Sequence, residues 1–246
     1  QLAEGKTLTL GYNNYSEGAA AHELAGGIAG AGRLRIEDNA AVLTGANSFS
    51  GGLELSGGTV GFVNAVALGT GAIGVVAEGS YNESSLVVLA PDMTVTNPIM
   101  LQSASVSEPA TLALYGSDYF NYGDYVIPGN RNLTLTGQIT GTGNLRKRSD
   151  NTVTLTGANT FAGDIVVEEG VMIFANAATT GDPANRLNLS SYYYAVSPTV
   201  RFLAGNPQIG GLIGYNYESA AAVELGTGVN LTIGVHDNGE TGDQYY

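Results

Sequence analysis

The eight residues Thr44-Gly-Ala-Asn-Ser-Phe-Ser-Gly51 return as Thr156-Gly-Ala-Asn-Thr-Phe-Ala-Gly163, with two substitutions. The likeness extends outward. Ile28, Gly30, Gly32 and Leu34 recur as Ile139, Gly141, Gly143 and Leu145, at an offset of 139 − 28 = 111. After a one-residue slip, Leu43, Gly45, Asn47, Phe49, Gly58, Phe62 and Asn64 meet Leu155, Gly157, Asn159, Phe161, Gly170, Phe174 and Asn176. Leu8-Thr-Leu-Gly11 comes back as Leu231-Thr-Ile-Gly234, at 231 − 8 = 223, about twice the shorter offset. The chain therefore reads as two long units, about 5–128 and 129–228, with the start of a third at 229–246. Self-similarity on this scale is the signature of an array rather than of one catalytic cup.

Within the units, short alternating runs dominate: Thr7–Leu10, Leu53–Leu55, Leu86–Leu89, Thr111–Leu114, Leu133–Leu135, Val153–Leu155, Ile165–Val167 and Val223–Leu225. Alternation with a period of two predicts half-buried strands. Between them stand Gly51-Gly52, Gly57-Gly58, Gly69-Thr-Gly71, Gly141-Thr-Gly143 and Gly226-Thr-Gly228, which predict tight turns using positive φ angles. Helical periodicity is nearly absent, and Ala19–Ala25 is the best short candidate. Strand and turn in such succession fit an all-β solenoid with about 20 to 30 residues per coil. Coils spaced by roughly 4.8 Å would make ten or so into a rod about 50 Å long. A two-sheet sandwich suits the number of strands but not the long-range recurrence.

The repeated phrase has its own physical reading. Thr44 and Thr156 end strands, and Gly45 and Gly157 bend the chain. Asn47 and Asn159 cap their turn, adopt a left-handed conformation or join a ladder. Phe49 and Phe161 enter the core, as do Phe62 and Phe174.

Composition narrows the function. The net charge is −13, with 9 Lys and Arg against 22 Asp and Glu, and phosphate binding needs a basic footprint, so nucleic acid is not an expected partner. The basic run Arg146-Lys-Arg148 reads as a solvated turn beside Ser149-Asp150, or else as a local anion site. Without cysteine there are no disulfide staples, thiolate metal sites or cysteine nucleophiles. No stretch approaches the roughly 18 apolar residues of a membrane span, so no membrane contact is expected of this segment itself. The opening Gln1-Leu-Ala-Glu4 carries no leader, which suggests a piece of a longer chain whose flanking regions continue the array.

The run Leu155-Thr-Gly-Ala-Asn-Thr-Phe-Ala-Gly-Asp-Ile-Val-Val-Glu-Glu-Gly-Val-Met-Ile173 resembles the autotransporter-associated β-strand repeat. Gly137-Gln-Ile-Thr-Gly-Thr-Gly-Asn-Leu-Arg-Lys147 is similar to that family's lead-in, a glycine-bounded strand followed by Leu and a basic residue. Asn206-Pro-Gln-Ile-Gly-Gly-Leu-Ile-Gly214 and Val223–Gly234 are similar to the segment before such a lead-in. The resemblance implies a right-handed parallel β-helix in the exported passenger region of a large bacterial surface protein. The chain departs from the family pattern in its irregular inserts, Gly11–Glu23, parts of Tyr81–Pro128, and Asn185–Pro198.

The densest local anomaly is Tyr115-Gly-Ser-Asp-Tyr-Phe-Asn-Tyr-Gly-Asp-Tyr125. Aromatic faces stack on sugar rings and carboxylates bind their hydroxyls, so Tyr115, Asp118, Tyr119, Tyr122, Asp124 and Tyr125 form the candidate glycan contact. The bland alternative is a row of tyrosines covering the coil. Tyr192-Tyr-Tyr194 and Tyr215-Asn-Tyr217 carry the same ambiguity. Asp118 and Asp124 could in principle supply a glycosidase pair; Glu168-Glu169 could not, since adjacent strand residues face opposite ways. His22 and His236 match no metal or triad spacing and read as surface or insert residues. The tail Asp237–Asp243 is rich in oxygen ligands but lacks the EF-hand spacing, and no cofactor is assigned. The expectation is a non-catalytic extracellular scaffold on a bacterial surface, serving display or adhesion toward a glycan or a host surface. A carbohydrate-active enzyme on the same coil is the alternative, and a calcium-stabilised interaction module is a weaker third.

Overall fold

A computed structural model describes residues 1–11, 21–78, 82–105, 107–116, 131–191, 196–216 and 220–234. Every strand-to-strand pairing in it is parallel, because the chain winds in one sense and each coil lays its strands on those of the coil before. The strands form three long sheets on three sides of the winding. The first sheet runs Thr7–Leu10, Arg33–Glu37, Leu53–Ser56, Ile73–Val76, Ile99–Gln102, Ile139–Gly141. The second, of nine strands, runs His22–Leu24, Ala40–Leu43, Thr59–Phe62, Glu83–Val88, Thr111–Gly116, Asn144–Lys147, Ile165–Val167, Arg186–Ser191, Gly211–Asn216. The third runs Met93–Val95, Leu133–Leu135, Thr152–Leu155, Val171–Phe174, Thr199–Phe202, Ala222–Leu225. This is a parallel β-solenoid, and nine strands at about 4.8 Å make a stack of roughly 40 Å along the second sheet alone.

The eight alternating runs lie in strands, save Leu89 just past one, yet four are not half-buried: two are buried on both faces, and Thr7–Leu10 and Val223–Leu225 are largely exposed. In Arg33–Glu37 and Val171–Phe174 buried residues alternate with partly exposed ones. Glu83–Val88 and Thr111–Gly116 are buried on both faces after their first residue. There Val87, Ala113 and Tyr115 form a second, small apolar cluster on the outward side of the sheet. The candidate helix is also corrected, since His22–Leu24 is a strand. Helical turns among the described residues are limited to the 3₁₀ segments Ala65–Leu68 and Ala177–Thr179.

The interior is built from columns in strict register. Leu34, Leu53, Ile73, Ile99 and Ile139 stack on one another, and so do Leu135, Leu155, Phe174, Phe202 and Leu225. Phe49, Phe62, Phe161 and Phe174 are all buried, and Phe174 stacks on Phe202 with ring centroids 5.1 Å apart. Burial of such a side chain stabilises by about 2–3 kcal/mol, and each does so only because a neighbouring coil lies above or below it.

Coil length varies from 53 − 34 = 19 residues to 139 − 99 = 40, wider than the expected 20 to 30. The longest coil runs from Ile99 to Ile139 and includes the second-sheet strand Thr111–Gly116, and the strands on either side of it keep their register. The glycine pairs meet two needs. Gly141 has φ +101° and no room, since a Cβ there would lie 2.0 Å from the Leu101 carbonyl oxygen, while Gly143 has ordinary φ but a Cβ there would lie 2.2 Å from the Ala110 carbonyl oxygen. Positive φ is therefore half of the reason for glycine, and the close approach of the next coil is the other half.

Candidate functional site

The two copies of the repeated phrase make the same contacts. Asn47 Oδ1 accepts from Ile28 N at 2.7 Å, and its Nδ2 donates to Ala67 O at 2.6 Å. Asn159 Oδ1 accepts from Ile139 N at 2.9 Å, and its Nδ2 donates to Thr179 O at 2.8 Å. Each asparagine thus pins the coil before it to the coil after it. Neither has positive φ; that conformation falls on the equivalent residues Asp38 (φ 44°) and Ser149 (φ 71°). Of the readings open to these asparagines, the ladder is the one realised. Sequence reasoning missed two further clamps. Asn97 Nδ2 donates to Gly69 O and Gly71 O at 3.1 and 2.7 Å. Asn185 accepts from Gly163 N at 2.8 Å and donates to Phe161 O at 3.0 Å. Outside a repeated phrase, a lone asparagine carries no signal that separates clamp from turn.

The basic run Arg146–Arg148 is neither a solvated turn nor an anion site. Asn144–Lys147 is a strand, so Lys147 points the same way as Leu145, into the coil. It stands between Leu114 and Val167 in an interior column and is fully buried. Its ammonium donates to three carbonyls, Arg148 O at 3.0 Å, Ser149 O at 2.6 Å and Glu169 O at 3.0 Å. Three acceptors match three N–H donors, which is how a lone buried cation is tolerated. Burial pushes its pKa down to about 7, against the opposing pull of the Glu169 and Asp150 charges.

Arg146 and Arg148 face outward on the second sheet and are held by carboxylates. Arg146 Nη1 donates to Glu83 Oε2 at 2.5 Å, and Arg148 Nε donates to Glu168 Oε2 at 2.6 Å. Arg148 also lies 3.2 Å from Glu83 Oε1. Its guanidinium donates to the Tyr115 hydroxyl and lies over the ring, 5.6 Å from the centroid. Burial lowers the Arg148 pKa, but the tyrosine hydrogen bond and the Glu168 and Glu83 charges outweigh this and hold it above the ordinary value. Glu168 and Glu169 diverge as expected. The first is bound by Arg148, and the second accepts from Val196 N at 3.3 Å.

Of the candidate glycan residues, the structure places Tyr115 at the end of the strand Thr111–Gly116, buried beneath Arg148. Asp118, Tyr119, Tyr122, Asp124 and Tyr125 lie outside the described residues, as do Tyr192–Tyr194, Tyr217, His236 and the tail Asp237–Asp243. His22 is exposed on its strand. A cavity of about 360 Å³ is lined by Gly163, Asp164, Asp182, Asn185 and Arg186. Its carboxylates are engaged: Asp164 accepts from Arg186 Nε at 2.8 Å, and Asp182 from Ala184 N at 2.8 Å. Among the described residues no group of three or more acidic or histidine side chains could hold a metal ion.

The arrangement is one of ladders and clamps that tie coil to coil. The model of the passenger-associated-transport repeat family matches residues 29–60 and 145–173, which are the two copies carrying Asn47 and Asn159. Over 58 residues, 24% of this chain, the sequence is 38% identical to the adhesin BmaC autotransporter of Brucella suis biovar 1. That stretch is 2% of the relative's length, so this chain spans a small part of a protein of that kind. No solved structure matches. The chain is thus a parallel β-solenoid that carries, within one continuous stack, two segments matching the passenger-associated-transport repeat.

Proposed function

We propose that this solenoid is a non-catalytic, exported scaffold at a bacterial surface that holds its inserts out for adhesion. The observation that carries the reading is the unbroken register of the three sheets across inserts as long as that of the 40-residue coil. Such a frame keeps its geometry whatever its corners carry, and loops on a rigid frame are where binding residues concentrate. The repeat family and the autotransporter adhesin to which the chain is similar support export and surface display.

The stretch Tyr115–Tyr125 is the proposed contact, with a glycan as ligand. Tyr115 roots it in the wall of the second sheet, and Asp118, Tyr119, Tyr122, Asp124 and Tyr125 supply aromatic faces and carboxylates. A glycan array probed with the whole chain tests this. The expected result is retention on a subset of glycans without their cleavage, and loss of that retention in Asp118→Ala and Tyr122→Ala. Product release from any bound polysaccharide would instead favour the enzyme reading. Undiminished binding by both variants would take this stretch out of the proposal.

A further inference from the structure

We propose that the outward side of the third sheet binds the surface of ice. This goes beyond the glycan reading and does not rest on it, since it uses none of the residues Tyr115–Tyr125. Thr94, Thr134 and Thr154 register with one another on three successive coils. Two residues along, Thr96, Thr136 and Thr156 form a second column, because the ladder continues from Thr136 N to Val95 O and from Thr156 N to Leu135 O, each at 3.0 Å. The residues between the columns, Val95, Leu135 and Leu155, are buried, so both threonines of each pair point outward. Thr94, Thr96, Thr136 and Thr156 are exposed, and Thr134 and Thr154 are half-buried.

The result is an array in two dimensions, with about 6.6 Å between threonines along a strand and about 4.8 Å between coils. The prism face of ice presents rows of oxygen atoms at comparable spacings in two perpendicular directions. Each threonine offers that lattice a hydroxyl, which fixes one water, and a methyl, which water surrounds without bonding. The array is also set in advance. Thr136 Oγ1 donates to Val95 O and Thr156 Oγ1 to Leu135 O, both at 3.4 Å, so one hydroxyl contact recurs from coil to coil. Branching at Cβ restricts χ1 as well, and a surface already ordered gives up little freedom on binding.

What the array omits points to the same ligand. An ionised side chain holds a hydration shell that does not fit the crystal, and in a chain of net charge −13 none of the six positions is charged. On the next coil Ile173 and Ala175 continue the two columns without charge. The first column then ends at Arg201, which is paired with Glu224. The first and second sheets differ, since Arg35 and Glu54 stand outward on one and Arg146 and Arg148 on the other. None of the eight uncharged positions is aromatic, so the array has no ring to stack on a sugar, which separates this surface from the proposed glycan contact.

Ice grown slowly from a dilute solution of the whole chain tests the proposal. The unmodified chain is expected to enter the ice and to slow recrystallisation in a frozen film, whereas a protein that does not bind is pushed ahead of the growing front. Thr136→Lys and Thr154→Lys each place a hydrated ammonium within the array, and each is expected to lose incorporation. Met100→Lys makes the same kind of change on the first side, where Met100 is 45% exposed, and is expected to keep it. Circular dichroism confirms that all three variants retain their β structure. Exclusion of the unmodified chain from ice would overturn the proposal, as would undiminished incorporation of the two threonine variants or an equal loss in Met100→Lys. Threonine-dependent binding to microcrystalline cellulose without entry into ice would overturn it in favour of a polysaccharide surface.

Discussion

The two copies of the repeat share their asparagine contacts and disagree about which side of the coil they occupy. Arg33–Glu37 lies in the first sheet, and its counterpart Asn144–Lys147 in the second. Ala40–Leu43 lies in the second sheet and Thr152–Leu155 in the third; Leu53–Ser56 and Ile165–Val167 are displaced by one side in the same sense. Along the first sheet the chain makes four turns from Arg33–Glu37 to Ile139–Gly141 and then passes one side further. The repeat therefore specifies a turn-and-strand unit together with its vertical contacts, and it is indifferent to azimuth. The inserts between copies set azimuth, because a longer corner changes where the next strand falls. The sharpest chemical difference between the copies is in the interior, where the position of Ile36 in the first is that of Lys147 in the second.

That difference gives the largest expected effect. Lys147 in the fold has a pKa of about 7 against 10.5 for the ordinary side chain. Below pH 7 both folded and unfolded chains bind the proton, so this group contributes no slope. Between 7 and 10.5 the unfolded chain binds more protons, so stability rises with pH, by up to about 5 kcal/mol over 3.5 units. Urea unfolding from pH 6.5 to 10, for the parent and for Lys147→Met, should show this rise in the parent alone. Equal slopes would mean that the three carbonyls hold the charge at no cost.

The converse exchange should be costly at any pH below the lysine range. Ile36→Lys puts an ammonium between Leu10 and Leu55, in the copy that has isoleucine at this position. An uncompensated buried charge of this kind is expected to cost about 3–5 kcal/mol. If the variant loses less than about 1 kcal/mol, the carbonyl cradle is a property of the repeat and not of Lys147.

Smaller, and a direct test of equivalence, is the asparagine pair. Asn47→Ala and Asn159→Ala each remove two hydrogen bonds and strand a buried backbone N–H and a carbonyl, which should cost about 2–4 kcal/mol. The two losses should agree to within about 1 kcal/mol, since the contacts agree. A clear inequality in urea unfolding would show that azimuth, and with it the neighbouring sheet, does enter the energetics.

Much of this was legible in the residues. Alternation found the strands, and recurrence found the stacking, because both are consequences of one backbone ladder repeated. The side of the coil was not legible, since it depends on the sum of insert lengths and no single motif records it. Lys147 was half legible. Alternation from Leu145 puts it inside, yet its charge argued for solvent, and only the three carbonyls of the turn reconcile the two. The outward burial of Val87, Ala113 and Tyr115 had no counterpart in a period of two, which accounts for one face only.

The smallest effects should come from the outward ion pairs, which also compare the copies, since Arg35 and Arg146 are equivalent. Arg35 Nη1 meets Glu54 Oε1 at 2.5 Å, with side chains 18% and 14% exposed, on strands already in register. Arg146 meets Glu83 at the same distance but with 30% and 31% exposure, across an intervening strand. Water screens the second pair more, so double-mutant cycles should give a coupling of about 1 kcal/mol for Arg35–Glu54 and about half that for Arg146–Glu83. Both should shrink with added salt. The backbone ladder and apolar columns hold the stack without them. What opposite charges in adjacent rows add is discrimination, because a strand slipped by one residue would turn Arg35 toward the interior columns. Couplings of several kcal/mol would overturn that division of labour and make the charge rows, rather than the columns, the part of the repeat that fixes register.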